Sequence, residues 1–385
     1  MGDPVITFLI SSFNRREALL KTLIRLHGVA APRGAFETIV VDNASSDGTA
    51  QAVRWQFPAV RLIEQSSNGG PVAKNVGLAE ARGKYVIFLD DDSFPAPGAV
   101  DRMVRHFEVD RRLGAAVFTV TLPDGSRECS AYPDVFIGCG TGLRKEALDQ
   151  VGGLPGDFFM QAEEYDLSLR LLDAGWKVRT FDDLHVTHLK TAASRYPARV
   201  MRLDVRNNLN LIGRYFPDEW VIPFAQDWIS RYRMIAAANG CRMAFCRGVA
   251  DGLIRMAGRG ERRPVRQSTF ETFARIAQIE QKMRQAMGEF GVRRLLFIDL
   301  GKNMLPYWRA ARNAGAEIVA VADARLGGRG FGYRGVAVMS DAEAAGLSFD
   351  AAIVSNLSPV HATNRREFWR SRCERPVVDF FEAAA

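Results

Sequence analysis

Cysteine is scarce here and poorly spaced for chemistry of its own. The 385 residues hold five, at 129, 139, 241, 246 and 373. The number is odd and no two form CxxC, so neither a disulfide framework nor a zinc site of the usual spacing is indicated. A reducing, cytoplasmic compartment suits such a chain. Also missing are an internal repeat, a low-complexity tract and any apolar run near the roughly 20 residues that cross a bilayer. The first strand is read from Val5, which leaves no room for a signal peptide. No interleaved basic and aromatic motif occurs, which argues against nucleic acid as a partner. Yet the net charge is +7, so an anionic partner is expected: a nucleotide, an anionic polymer or a membrane surface.

What is present is alternation. "VITFLISSF", "FETIVVDNASSDGT", "VRLIEQ" and "KYVIFLDDDSFP" read as strands, and between them lie stretches with helical spacing, such as "REALLKTLIRLHG" with Gly28 as its stop. This order implies an α/β fold with a mainly parallel sheet between helices. Ligands of such sheets bind beyond the carboxyl ends of the strands, where Ser11, Asp42 and Asp90 to Asp92 fall. From about residue 195 the character becomes helical, with seven arginines against two acids between Arg242 and Arg266. "GRGERRP" reads as a linker or exposed loop, and "STFETFARIAQIEQKMRQAMGEFG" as one connecting helix. A second α/β unit then begins. The expected division is 1–215, a helical, Arg-rich extension over 216–290, and a small Rossmann-like domain over 291–385.

Three adjacent carboxylates at a strand end repel one another unless a positive charge joins them. A divalent cation with oxygen ligands, Mg²⁺ or Mn²⁺, suits them and can bridge to a phosphate; a turn whose acids cap the next helix is the plain alternative. Asp42 can accept from a base or ribose, or form an Asx turn with Asn43 and Ser45. Glu163 and Glu164 open an amphipathic helix, where acids favour the helix dipole but can also serve as general base. His185 and His188 on "DLHVTHLK" are either structural or able to complete a metal shell.

Residues 5 to about 215 resemble a family 2 glycosyltransferase with the GT-A fold. The resemblance rests on "SSFNRREAL", "VVDNASSDGT", "NGGPVAKNVGL", "FLDDDS", "GTGLRKEAL", "FFMQAEEYDLSLRLLDAGW" and "VTHLK", all in family order. It implies that Asp42 binds the nucleotide base, Asp90 the ribose and Asp92 the metal, with His188 as the late metal-ligating histidine. Ser11, Asn14, Lys74, Asn75 and Asp91 join the nucleotide-sugar site by the same likeness, Lys74 standing where many relatives carry arginine. The second acid of the family's Glu-Asp motif is the catalytic base, and Glu164 holds that position. It is a glutamate where an aspartate is usual, so Glu163 remains a rival. The implied activity is inverting transfer of a sugar from a UDP-, dTDP- or GDP-linked donor to a saccharide or lipid-linked saccharide. "VRNNLNLIGRYFP" is similar to a segment of rhamnosyltransferases of bacterial surface polysaccharides.

"IDLGKNM" stands where a dinucleotide-binding unit would carry GxGxxG, but only Gly301 fits; Asp323 falls at the ribose-binding acid. Bound NAD is therefore not expected, and a docking or homo-oligomerisation module is. The Arg-rich helices, with Phe245, Leu253, Ile254 and Met256, suit peripheral contact with an acidic membrane. Two other functions stay open: a sugar-phosphate nucleotidyltransferase, against which the lack of a glycine- and basic-rich N-terminal loop counts, and a non-catalytic nucleotide-sugar sensor.

Overall fold

Apolar runs such as Val86–Leu89 have nowhere to go but the middle of a layered structure, and that is where they lie. The computed structural model describes residues 4–29, 36–190, 197–258 and 262–382; residues 259–261 of the expected linker lie outside the described residues. The chain forms two compact units. One comprises residues 1–130 and 134–196, the other 197–385 together with Ala131–Pro133.

The first unit runs β1 (Ile6–Ser12), α1 (Arg16–Val29), β2 (Phe36–Asp42), α2 (Thr49–Gln56), β3 (Arg61–Glu64), α3 (Lys74–Glu80), β4 (Tyr85–Asp90), β5 (Ser93–Pro95), α4 (Ala99–Val109), β6 (Leu113–Thr121), β7 (Arg127–Glu128), β8 (Thr141–Arg144), α5 (Lys145–Val151), α6 (Glu163–Asp173) and β9 (Lys177–His188). Strands β3, β2, β1 and β4 are parallel neighbours; β8 pairs antiparallel with β4 and β6, and β9 lies parallel to β6. The expected mixed, mainly parallel sheet between helices is thus present. Side-chain alternation builds its two cores. Ile6, Phe8 and Ile10 with Tyr85, Ile87 and Leu89 pack on Leu19 and Leu23 of α1 and Met103 and Phe107 of α4. Leu9, Val86 and Phe88 face Leu78 of α3, Leu148 of α5 and Leu167 of α6. Each such side chain contributes about 1.5–3 kcal/mol when fully buried, so strand register is strongly fixed. That register sets Ser11 beside Asp90 and Ser12 beside Asp42. Gly28 does not stop α1, which runs one residue further.

The second unit begins with α7 (Pro197–Tyr215), α8 (Asp218–Ala238) and α9 (Arg242–Ala257). The expected single connecting helix is two, α10 (Gln267–Ala274) and α11 (Ile276–Phe290), because Arg275 between them adopts a left-handed φ of 55°. There follow β10 (Arg294–Ile298), α12 (Met304–Asn313), β11 (Glu317–Ala322), β12 (Gly332–Tyr333), β13 (Val336–Met339), α13 (Asp341–Ala345), β14 (Ala351–Val354), α14 (Pro359–Arg370) and β15 (Val377–Val378). The order β12-β13-β11-β10-β14-β15, parallel except at β12, is that of a small doubly wound sheet.

Helix α9 lies on α7 through glycines: a Cβ on Gly248 would stand 2.7 Å from the Arg202 carbonyl oxygen, and one on Gly252 2.8 Å from the Leu209 Cβ. Phe245 and Met256, expected at an outer surface, are half-buried. The opposite face presents Met243, Leu253 and Ile254 to solvent, Met243 at 73% exposure and Ile254 at 72%. Among the described residues no helix is long and apolar enough to cross a membrane.

Candidate functional site

The acidic triplet is answered partly from within the chain. After β4 the backbone turns, and Asp91 and Asp92 point inward while Asp90 stays partly open. Arg15, just beyond β1, sets its Nε 3.2 Å from Asp91 Oδ1 and its Nη2 2.5 Å from Asp92 Oδ2. Ser12 Oγ donates to Asp91 Oδ2 at 2.8 Å. Burial still raises the Asp91 carboxyl to about 7, against the pull of Arg15 and Ser12. Asp91, expected at the donor, is therefore placed in the interior. Asp90 instead meets the ammonium of Lys74, 3.3 Å away on a side chain that is itself fully buried.

Asp42 is buried at the end of β2. Its Oδ2 accepts from the Ser45 N–H at 3.1 Å, whereas its Oδ1 has no hydrogen-bond partner among the described residues. Such a buried acceptor is costly unless something arrives to bond it. Asn14, at a φ of 51°, accepts from the Ser46 N–H at 2.7 Å, and its own N–H donates to Ser45 Oγ, so it shapes the 45–47 loop beside Asp42. Ser11 is half-buried opposite Asp90. Asn75 binds the Leu154 main chain with both ends of its amide, at 2.7 and 2.8 Å, and so ties α3 to the loop before α6.

At the end of β9, His188 is buried and its neighbours are acids. Nδ1 lies 2.9 Å from Glu128 Oε2, and Nε2 lies 3.3 Å from Asp92 Oδ1 and 4.0 Å from Asp90 Oδ2. Burial opposes the imidazolium, but bonding to Asp92, Cys139 and Glu128 outweighs it and pushes the ring up to about 12. His188 in turn holds the Glu128 carboxyl down at about 2. The ring thus has one nitrogen fixed by a carboxylate and the other aimed at Asp90 and Asp92 at the end of β4, so a cation that displaces the Nε2 proton would meet an imidazole already oriented. Donor atoms of Asp90, Cys139 and His188 lie within 4.8 Å of one another. This donor set fits a divalent ion. His185 lies on the exposed face of β9 and does not join it.

Helix α6 delivers the other two carboxylates. The chain reaches it through Phe159, Gln161 and Ala162 at φ of 65°, 72° and 64°, a strained approach of the kind that persists where surrounding structure fixes it. Gly70 makes room for this loop: its φ is 67°, and a Cβ there would stand 2.6 Å from the Phe159 carbonyl oxygen. No side chain caps α6 at Ala162; Glu163, Glu164 and Asp166 occupy its first turn. Glu163 is buried, with its Oε2 lacking a hydrogen-bond partner among the described residues. Glu164 is half-buried beside Gly138, whose main chain bonds it. Burial raises both carboxyls above the usual range, helped for Glu163 by the charge of Glu164 and for Glu164 by that of Asp90.

These residues share one cleft of about 270 Å³, whose lining includes Lys74, Asp90, Cys139, Glu163, Glu164 and His188. Asp42, Asp92 and Asn14 stand outside that lining. Sequence reasoning missed Arg15, Glu128 and Cys139. Arg15 sits inside a motif that had been read for its neighbours. Glu128 is on a two-residue strand 60 positions from His188 and carries no local signal.

In the second unit, the loop beyond β10, where a dinucleotide-binding turn would stand, is tied down by the unit's own groups. Trp228 Nε1 donates to the Lys302 carbonyl at 2.6 Å and Arg231 Nε to that of Leu300 at 2.7 Å. Asp323 accepts from the N–H groups of Leu300, Arg325 and Leu326 at 2.8–3.0 Å. A carboxylate so engaged holds the loop together.

Comparison with known proteins places residues 7–165 within the model of "Glycosyl transferase family 2". The chain is 26% identical over 207 residues to glycosyltransferase AglE of Haloferax volcanii, covering 48% of this chain and 67% of that protein. It is 28% identical over 246 residues to the N-acetylglucosaminyl-diphospho-decaprenol L-rhamnosyltransferase of Mycobacterium tuberculosis, covering 51% and 78%. A solved mannosyltransferase of Pyrobaculum calidifontis, in complex with GDP-Man and Mn²⁺, is 20% identical with a TM-score of 0.47, covering 82% of this chain and 88% of that one. Across the first curated relatives, the matched stretch spans from 29% to 67% of their own length.

Proposed function

We propose that this chain, whose residues 7–165 match the family 2 glycosyltransferase model, transfers a sugar from a nucleoside-diphosphate sugar to an acceptor hydroxyl with inversion, Glu164 acting as base. The observation that carries this is the meeting of Lys74, Asp90, Glu163, Glu164 and His188 in one cleft. Asp42 offers its unbonded Oδ1 to the nucleotide base, and Asp90 binds the ribose or the ion. Asp90, Asp92 and His188 are the residues that would hold a divalent cation, Mg²⁺ or Mn²⁺, with Glu128 orienting the imidazole from behind. Bound there, the cation supplies positive charge to the departing diphosphate. Lys74 adds a second charge on that side, already desolvated and so needing little reorganisation.

Glu164 takes the proton of the acceptor hydroxyl as its oxygen attacks the anomeric carbon from the face opposite the diphosphate. The new carbon–oxygen bond forms as the old one breaks, and the electron pair of the old bond leaves with the nucleoside diphosphate. One displacement inverts the anomeric centre, and no glycosyl-enzyme bond is needed. A raised carboxyl suits this role, because a base works best with its pKa near the working pH. The acceptor is a saccharide or lipid-linked saccharide of bacterial surface polysaccharide synthesis, with a rhamnosyltransferase-like donor choice the first to test, as the name of the mycobacterial relative suggests.

Incubation with UDP-, dTDP- and GDP-sugars and Mn²⁺ tests the proposal. Release of nucleoside diphosphate is expected, with a product of opposite anomeric configuration by NMR. Release of pyrophosphate would indicate a nucleotidyltransferase, and binding without release a sensor.

A further inference from the structure

The cation reading gives no role to a thiol that lines the cleft. Cys139 lies in the short loop before β8, only 6% exposed, and on the wall of the cleft. On one side it touches the core formed with Val120, Leu184 and Val186, where a small apolar side chain would serve as well. On the other, its sulfur points at the two groups most suited to a metal. The donor atoms of Asp90, Cys139 and His188 fall within 4.8 Å of one another, and Asp90 Oδ2 stands 4.0 Å from His188 Nε2. Donors bound to one ion at about 2.0–2.3 Å lie roughly 3–4 Å apart, so a contraction of under about 2 Å brings all three onto a single cation.

We propose that Cys139 is a ligand of the cleft cation, giving a carboxylate–imidazole–thiolate set that favours thiophilic ions such as Co²⁺ or Zn²⁺ over Mg²⁺. This rests on the metal reading given above and extends it to the nature of the ion. Mg²⁺ demands near-octahedral oxygen ligands and holds its waters, whereas thiolate ligands select softer ions. Binding costs the thiol and the imidazolium Nε2 one proton each, and both pass to solvent as the sulfur–metal and nitrogen–metal bonds form. Two consequences separate a ligand from a core residue. The cation must report sulfur in its spectrum, and replacement of the sulfur must change which ion is preferred.

The test is titration of metal-stripped, full-length protein with Co²⁺, with and without UDP or GDP, followed in the near ultraviolet. A thiolate-to-cobalt charge-transfer band is expected in the unaltered protein. Cys139→Ser should lose that band and bind Co²⁺ at least about tenfold more weakly, with Mg²⁺ binding little changed and the metal-free melting temperature recording any loss of fold. Cobalt uptake without the band overturns the thiol ligand while leaving the Asp–His site standing. A band that survives Cys139→Ser assigns the sulfur elsewhere and also overturns it. No uptake of Co²⁺ under any condition removes both this inference and the metal reading beneath it. Should Cys139→Ser fail to fold, Cys139→Ala takes its place, and Cys129→Ser, at the other cysteine lining the cleft, must keep the band.

Discussion

Glu163 and Glu164 are adjacent, yet the turn of α6 gives them different surroundings and different expected behaviour. Glu164 reaches the cleft beside Gly138, so Glu164→Gln should bind donor and metal normally while kcat falls by about 10²- to 10⁴-fold. Because the base must be ionised and burial raises its pKa, the acid limb of the kcat/KM profile should lie above the ordinary glutamate range near 4.3. Rate should fall as pH drops through that raised value. Glu163 is different: its carboxylate is buried, one oxygen lacks a partner among the described residues, and the charge of Glu164 stands next to it. A carboxyl whose folded pKa is raised contributes its full stability below the unfolded value, then loses it as pH rises through the folded one. Glu163→Gln removes that loss. Its melting temperature should therefore exceed the parent's by a margin that grows from pH 4.5 upward and levels off above the raised pKa. If Glu163→Gln is the variant that binds without turnover and Glu164→Gln remains active, the base is Glu163.

Elements were legible where their side chains alternate against a core, and illegible where one residue decides. Val86–Leu89 could only be a doubly buried strand, and the rule that ligands gather at carboxyl ends brought Asp42 and Asp90 together before any coordinates. Nothing in the composition of "ARIAQ" announces that Arg275 turns left-handed and splits one helix into two. The inward turn of Asp91 and Asp92 was equally hidden, since strand periodicity stops at Asp90 and the partner, Arg15, lies on another element. Helix α9 shows both cases. Its apolar and basic content was plain, but which side faced out depended on Gly248 and Gly252 seating it on α7. At 100° per residue, Met243, Cys246, Ala250, Leu253, Ile254 and Ala257 form one exposed stripe, with Arg242 and Arg247 on its two flanks. That is the pattern of an interfacial helix. Sedimentation with anionic vesicles should pull the protein down at low salt and release it at high salt. Leu253→Asp with Ile254→Asp should abolish the effect, whereas Phe245→Ala should not reduce it except through lost stability. Equal binding to neutral vesicles would count against the arginine flanks.

At the scale of the whole chain, two mainly parallel sheets differ in what lies beyond their strands. In the first, an Asp42 oxygen without a hydrogen-bond partner among the described residues and a cleft of about 270 Å³ stand at the carboxyl ends. In the second, Trp228 and Arg231 cap the loop carbonyls and Asp323 is engaged by three main-chain N–H groups. Helix α8, which ties down this loop, lies about 70 residues away in the chain and could not be foreseen from the turn itself. A ligand that binds only the folded state stabilises it by about 2.7 kcal/mol at a hundredfold excess over Kd. For a unit of about 200 residues this corresponds to roughly 5–10 °C. A nucleoside diphosphate with Mn²⁺ should therefore raise a melting transition by that amount, and the net charge of +7 should make the shift smaller in high salt. NAD at the same concentration should move nothing, because entry would require breaking the bonds from Trp228 and Arg231 and vacating Asp323. A shift with NAD that is lost in Asp323→Ala would show that the second sheet opens, and would overturn the reading of it as a filled scaffold.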